Sequence, residues 1–599
     1  MYLLPGGDLN YTGARIRKQA KQEAINIFNK EIKMLHGPQN YFIKKEKKAE
    51  RISGDLFPFK ALQKAMARLK NRKPVIGWGK GGYRAPEETE TDNEPAQDVI
   101  KQPPHNAPPR RIFCRLFGKG AQANPAALID LGLAMETESV ANVTVSGDSN
   151  IPAGYTYLGQ FIDHDMTATN GPALSADGVV DIDELINERS PRLDLDSLYG
   201  KGPRDPDSAA MYEDDGVHLK VGQTTATPDG APGGPIPGDG PHDLPRNSDS
   251  SAIIGDGRND ENLAVAQTHL AFIQFHNRKV DELNACRGLS GKELFNAARK
   301  ETVLHYQSIV LTDFLPKIIE QGVLQDVIKN GRKFYTQDDK GCMPLEFAVA
   351  AYRLGHSMVR PDYEWNRIFN SNPGGIRATF ELLFEFSGVS GTRTPDQAAD
   401  PPFFGNPTLP SNWPVDWTRM YDFSSVAGID THPDLNFARK IDASLALALK
   451  TLPEFQRDPT LAGLPDEEKT ILFSLATRNL LRGRLLELPT GQQVADKMIK
   501  AGVEFTPITA EEIASSPHRE IVEANNFHYD TPLWYYILRE AKVRHDGNFL
   551  GPVGSRIVAE VFVGLIDDSR INVFRQRPGL TFSMPELLAE VGDINPLGS

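Results

Sequence analysis

The stretch Leu158-Gly159-Gln160-Phe161-Ile162-Asp163-His164-Asp165-Met166-Thr167 decides how this chain is read. As a helix it sets Gln160 and His164 one turn apart on a single face, since residues i and i+4 stack there. Asp163 and Asp165 flank the histidine and are expected to point elsewhere. Taken alone, an Asp-His-Asp triplet serves a surface cluster or a metal site equally well. The reading therefore depends on what lies downstream.

Four further segments follow in order. Ser190-Pro191-Arg192-Leu193-Asp194-Leu195-Asp196-Ser197-Leu198-Tyr199-Gly200 spaces Ser190, Arg192, Asp194 and Asp196 at alternate positions. A looping backbone would then present oxygens on one side, the donor type that calcium takes. The segment is not an EF-hand, because the required Gly and terminal Glu are missing. A simple polar loop is the bland alternative. Gly255-Asp256-Gly257-Arg258-Asn259-Asp260-Glu261-Asn262 reads as a turn and acidic first helical turn, opening a long helix. Ala351-Tyr352-Arg353-Leu354-Gly355-His356-Ser357-Met358 carries one histidine in a helical pattern, where a satisfied core residue is commoner than a ligand. Arg478-Asn479-Leu480-Leu481-Arg482-Gly483-Arg484 reads as a basic turn able to hold carboxylates.

Apolar residues recur near a 3.6-residue period over 262–283 and 292–319, and helices are also expected over 347–358, 467–485, 532–543 and 555–565. Sustained alternation of period two is scarce and no internal repeat is visible, so the fold is read as mainly α. Residues 224–251 hold Pro-Asp-Gly, Pro-Gly-Gly-Pro and Pro-Gly-Asp-Gly, too dense in breakers for a helix or central strand. Such a long loop is expected to shape an access channel or its rim. The basic cluster from Arg15 to Lys73, with Lys44-Lys45-Glu46-Lys47-Lys48, reads as a solvated helical face. The acidic, Pro-containing stretch 86–109 reads as a linker or wrapping arm. Two units are expected: 1–110 as an N-terminal extension and linker, and 111–599 as the main body.

The net charge of −13 argues against a nucleic-acid-binding body. Cys114, Cys286 and Cys342 show no CxxC pairing and no zinc-ligand spacing, and are read as buried or incidental thiols. No run of about 18 uncharged apolar residues occurs, so no membrane span is expected. No signal peptide is evident, which implies a cytoplasmic location or export by a leaderless route. Oligomeric state is left open.

The segments gain meaning from their order. Gln160 to Asp165, Ser190 to Gly200, Arg258 to Glu261, His356, and Asn479 to Arg482 together resemble the peroxidase–cyclooxygenase superfamily, the animal-type haem peroxidases with myeloperoxidase-like members. Gly491-Gln492-Gln493, Pro532-Leu533-Trp534-Tyr535-Tyr536 and Leu550-Gly551-Pro552-Val553-Gly554-Ser555-Arg556 look like its bacterial branch. The resemblance spans roughly 152–565 and leaves the first ~110 residues unexplained. It implies a helical fold with haem b buried between central helices, a bound Ca2+, and hydrogen peroxide as substrate. A small reducing partner, such as a halide, thiocyanate or a phenol, is implied with it.

Position by position, the resemblance makes His164 the distal histidine, Gln160 the glutamine of the halide or water site, and Arg258 the distal arginine. It makes His356 the proximal iron ligand, Asn479 the acceptor of the imidazole N–H, and Arg482 a partner of a haem propionate. Asp165, Ser190, Arg192 (through its carbonyl), Asp194 and Asp196 match calcium ligands. Asp163 and Glu261 stand where some members form ester bonds to haem. Asn262 replaces the methionine of the vinyl sulfonium link, so that link is expected to be absent. Fatty-acid dioxygenases of the same fold carry a radical-forming tyrosine three residues before the proximal histidine. Here that position is Arg353, and Tyr352 is expected on the histidine's own helical face at another height, which argues for peroxidase chemistry. An inactive haem- and calcium-binding adhesion or scaffold protein is the rival from another class.

Overall fold

Helices frame the segment around His164, and each starts or stops where local chemistry dictates. The computed structural model describes residues 40–45, 48–53 and 112–598, leaving out 122, 137–138, 141–142, 145–146, 171–181, 337–341, 374, 389–401 and 451–465. Helix α1, Pro125–Met135, begins under Asn124, whose side chain accepts from Ala126 N at 2.9 Å. Helix α2, Gly154–Met166, carries the opening motif and is buried on nearly every face, through Tyr155, Tyr157, Leu158, Phe161 and Ile162. Helix α3, Leu263–Arg287, is capped by Asn262, whose side chain accepts from Val265 N, and stops at Gly288 in the left-handed region at φ 63°. Helices α2 and α3 meet through Phe161, stacked on Phe272 at 4.7 Å and edge-on to Tyr306 at 6.2 Å. Each such pair adds ~0.5–1.5 kcal/mol beyond area burial.

Several expected helices are interrupted, each for a local reason. The periodic run 292–319 forms α4, Gly291–Ile309, then a π-turn, Val310–Phe314, then a short helix, Leu315–Ile318. Pro316 lacks an N–H and its ring would strike the Thr312 carbonyl of a regular helix, so the backbone widens. The run 347–358 divides into Leu345–Ala348 and a 3-10 helix, Ala351–Met358. Three residues per turn eclipse positions i and i+3, so Arg353, rather than Tyr352, stacks over His356. The run 467–485 breaks at Ser474 into Asp466–Phe473 and α5, Leu475–Leu485, with the Ser474 hydroxyl accepting from Thr477 N at 3.0 Å. The basic stretch 478–484, expected as a turn, therefore lies inside α5. Gly132 of α1 lets α5 approach closely, since a Cβ there would fall 2.5 Å from Thr477 Cα. Helices α6, Leu533–His545, and α7, Pro552–Asp568, form close to their expected places. No described helix is long and apolar enough to cross a membrane.

Strands are few. One small sheet joins Thr169–Asn170, Ile186–Asn187, Ile112–Cys114 and Cys342–Pro344 in that order, the last two strands running parallel. Their register brings Cys114 and Cys342 together in a disulfide, with Cα atoms 5.6 Å apart. This corrects the reading of three incidental thiols. The partners lie 228 residues apart, and only the strand register, invisible in spacing, joins them. Cys286 is free and exposed.

The hairpin Asn40–Lys45 with Lys48–Ser53 likewise replaces the helical face expected over those residues. Its Tyr-Phe-Ile run favours strands. The stretch 86–109 and the boundary near residue 110 lie outside the described residues. Residues 224–251 are irregular as expected, tied by isolated bridges and by Arg246, which reaches Asp243 at 2.8 Å and Asp260 at 2.7 Å.

Candidate active site

One cavity gathers five of the expected site residues. Gln160, Asp163 and His164 of α2 line it, with Glu261 and Asn262 at the start of α3 and with Arg353, Gly355 and His356 of the 3-10 helix. About 1100 Å³ of space free of protein atoms lies within it, part of it open to solvent. Asp163 faces this space alongside Gln160 and His164, against the expectation that both aspartates point away: positions i, i+3 and i+4 share one helical stripe. None of residues 224–251 lines the cavity itself.

The His164 ring is fixed from behind. Its Nδ1 lies 2.8 Å from Asn259 Oδ1, and Asn259 Nδ2 donates to His269 Nδ1 at 2.9 Å. With Asn259 Oδ1 facing it, His164 carries its hydrogen on Nδ1, leaving Nε2 as the basic nitrogen. Burial, then the Arg258 charge, pushes the His164 pKa down to about 3, so the ring is neutral near pH 7. Arg258 is held by Asp256 through Nη2 at 2.7 Å and Nε at 3.1 Å, and donates to the carbonyls of His164 at 3.1 Å and Thr167 at 2.6 Å. Burial works against its charge, but Asp256 outweighs it and the net shift is upward. Arg258 stands behind the lining, with Nη1 buried and lacking a hydrogen-bond partner among the described residues.

On the same side Gln160 donates to Glu261 Oε1, while Asn262 Nδ2 donates to Gln160 Oε1 at 3.0 Å. Asn262 thus caps α3 and orients Gln160 at once.

Across the cavity, His356 is pushed down to about 3 by burial and then by Arg353 and Arg478. Asn479 of α5 meets its Nδ1 at 2.7 Å through Nδ2. That contact makes Asn479 the donor, opposite to the acceptor role expected of it. A half-turn of the carboxamide interchanges Oδ1 and Nδ2 in the same volume and restores the acceptor. Arg482 donates to Thr169 Oγ1 at 3.2 Å, and its Nε is buried without a partner among the described residues. Burial, with Arg353 and Arg478 nearby, lowers its pKa to about 9.

The expected calcium residues lie behind α2 but are not assembled around one point. Asp165 accepts from Leu195 N at 3.2 Å, Ser197 N at 3.3 Å and Ser197 Oγ at 3.1 Å, and Ser190 N donates to Asp196 Oδ2 at 2.7 Å. Among the described residues, no group of three or more His, Cys, Asp or Glu stands ready to hold a metal. Leu193 and Leu195 take left-handed backbones, φ 51° and 59°, which strains this loop. Burial, then Asp196 and Asp194, raises the Asp165 pKa well above its ordinary value.

Residues 174–386 match the animal haem peroxidase family. Peroxidasin of Drosophila melanogaster is 25% identical over 422 residues, 69% of this chain and 24% of the relative. The human probable oxidoreductase PXDNL is 28% identical over 197 residues, 32% of this chain and 13% of the relative. The chain therefore spans about a quarter or less of these relatives' lengths. Peroxidase A of Dictyostelium discoideum shares the fold, with a TM-score of 0.53 at 17% identity, covering 82% of this chain and 94% of that one. The architecture is the mainly helical peroxidase fold.

The cavity suits a haem of that family. Two neutral imidazoles from different elements line it, and Arg353 and Arg478 both lie close enough to act on His356 and Arg482. The orphaned Arg258 Nη1 and Arg482 Nε are donors that an anionic group would satisfy. Sequence reasoning missed Asn259, His269 and Arg478. The available signal was the polar pair Asn259 and His269, ten residues apart across the start of α3, meaningful only once the turn places both behind His164.

Proposed function

We propose that the chain is a haem peroxidase that reduces hydrogen peroxide and oxidises a small reductant such as a halide, thiocyanate or a phenol. The single observation carrying this reading is that His164, locked with Nε2 basic, and His356, backed by Asn479, line one cavity from two elements. Bound haem would supply the redox-active iron at which peroxide is reduced.

The protein's own parts divide the remaining work. His356 would hold the iron through Nε2, with Asn479 turned to accept the Nδ1 hydrogen. Arg482 would pair with a propionate. His164 Nε2 takes a proton from peroxide and returns it to the departing oxygen. Arg258 stays cationic and stabilises charge that develops as the O–O bond breaks. Gln160, aimed by Asn262, would set the halide or water site. Asp163 and Glu261, both lining the cavity, are the carboxylates for covalent ester links to haem. Asp165, Ser190, Arg192, Asp194 and Asp196 are proposed to hold Ca2+, which the buried Asp165 carboxylate close enough to Asp194 and Asp196 to feel their charge, and an Asp194 Oδ1 buried without a hydrogen-bond partner among the described residues, favour.

Fatty-acid dioxygenase chemistry is disfavoured because Arg353, not a tyrosine, eclipses His356 in the 3-10 helix. Peroxide-dependent oxidation of bromide, iodide, thiocyanate and a phenol by the haem-loaded protein tests the proposal. Activity is expected with at least one reductant and is expected to vanish in His164→Ala. Unchanged turnover in that variant would overturn the role of His164, and oxygen uptake with linoleate in the absence of peroxide would favour the dioxygenase.

A further inference from the structure

Three tyrosines line the cavity, and they differ in what their hydroxyls meet. Tyr352 donates to the Gly159 carbonyl at 3.3 Å, and Tyr157 donates to the Tyr363 hydroxyl at 2.7 Å. Neither acceptor is basic enough to take a proton at neutral pH. Tyr155 instead donates to both carboxylate oxygens of buried Asp313, at 2.8 and 2.9 Å. Asp313 sits in the π-turn Val310–Phe314 forced by Pro316, and the next residue, Phe314, also lines the cavity. Lys317 Nζ, 2.8 Å from Asp313 Oδ1, and Met584 N, 2.8 Å from Oδ2, hold the carboxylate in place.

We infer that the Tyr155–Asp313 pair is a built-in one-electron donor to the active site, a protein-based oxidation site separate from the cavity's direct reductant. The inference rests on the haem peroxidase reading above. Reducing H2O2 to two waters takes two electrons and two protons, so the site is left short of two electrons until a reductant supplies them. Tyr155 gives one electron, and its phenolic proton passes to Asp313, leaving a neutral tyrosyl radical and a neutral carboxylic acid. A phenolic reductant then returns one electron to Tyr155 while Asp313 hands the phenolic proton back and regains its charge, and the proton the reductant loses is one of the two that water formation consumes, so charge and atoms balance. Proton transfer along the existing hydrogen bond avoids a phenol cation, which Lys317 Nζ, 4.6 Å from the ring centre, would strongly oppose. Beyond Tyr155 the Tyr421 ring stands edge-on at 5.0 Å and Trp417 follows at 5.9 Å, oxidisable rings that lead away from the cavity lining.

The test mixes haem-loaded protein with H2O2 in the absence of reductant, freezes it, and records electron paramagnetic resonance. A spin trap followed by peptide mass spectrometry locates the radical. A tyrosyl signal and an adduct on the Tyr155 peptide are expected in the wild type. Both are expected to be lost in Tyr155→Phe, which keeps the ring, and in Asp313→Asn, which keeps an acceptor but cannot take the proton. Tyr157→Phe and Tyr352→Phe are expected to retain both, and melting curves establish that every variant is folded. An undiminished signal in Tyr155→Phe overturns the inference. So does the absence of any protein radical in wild type whose cofactor spectrum still responds to peroxide, an outcome that leaves the peroxidase reading standing. Failure of haem uptake, or of any spectral response, overturns both.

Discussion

Asn259→Ala is the sharpest probe of the distal side. It removes the hydrogen-bond acceptor that His164 Nδ1 meets among the described residues, at 2.8 Å, within a site where Asn259 has no exposed surface. Leaving a buried donor unsatisfied costs ~1–3 kcal/mol. If that cost falls on the orientation and tautomer of the ring, it converts to roughly a 5- to 150-fold loss in kcat/KM for peroxide, at about 1.36 kcal/mol per tenfold. Haem uptake should be unaffected, because His356 and Asn479 lie on other elements. Stopped-flow kinetics of the peroxide reaction, with visible absorbance for cofactor content and a melting curve for folding, separates rate from structure. A folded, fully loaded Asn259→Ala protein that reacts with peroxide at the wild-type rate would refute the positioning role.

Other expectations follow from the same geometry. Glu540 is buried and accepts from Val553 N at 2.9 Å, and burial raises its pKa to about 8. Its contribution to stability is complete below the ordinary value of 4.5 and is lost as pH rises through about 8, because the unfolded chain ionises first. Glu540→Gln should therefore gain stability over wild type at pH 9 relative to pH 5, and equal differences in urea midpoint at both pH values would sink the idea. Cys114→Ser opens a 228-residue loop and should cost ~2–4 kcal/mol, read as a lower urea midpoint; no change would mean the bond contributes nothing. Chelation of Ca2+ should lower the melting temperature, and an unchanged melt with no calcium detected by mass spectrometry of metals would dismiss the ion.

Much of this site was legible in the order of its motifs. Gln160 and His164 on one stripe, Glu261 and Asn262 before Leu263, and His356 all line one cavity, and Asn479 meets His356 from behind. What could not be read depended on contacts distant in sequence or on backbone detail. Asp163 joins the cavity because a helical stripe is wider than one residue row. Arg353 replaces Tyr352 above His356 because the segment winds as a 3-10 helix, which apolar periodicity does not distinguish from an α-helix over eight residues. The Cys114–Cys342 bond depends on two strands that meet only in the folded chain. Arg258 is bound by Asp256 two residues before it, and that clamp shows only once the turn is formed.

The central claim is tested most directly by reconstituting the protein with haem and recording its visible spectrum in wild type and in His356→Ala, before and after adding hydrogen peroxide. Stoichiometric uptake with a histidine-ligated spectrum that changes on peroxide, lost in His356→Ala, is the predicted result. No uptake by the wild type, or an identical spectrum and peroxide response in His356→Ala, would contradict it.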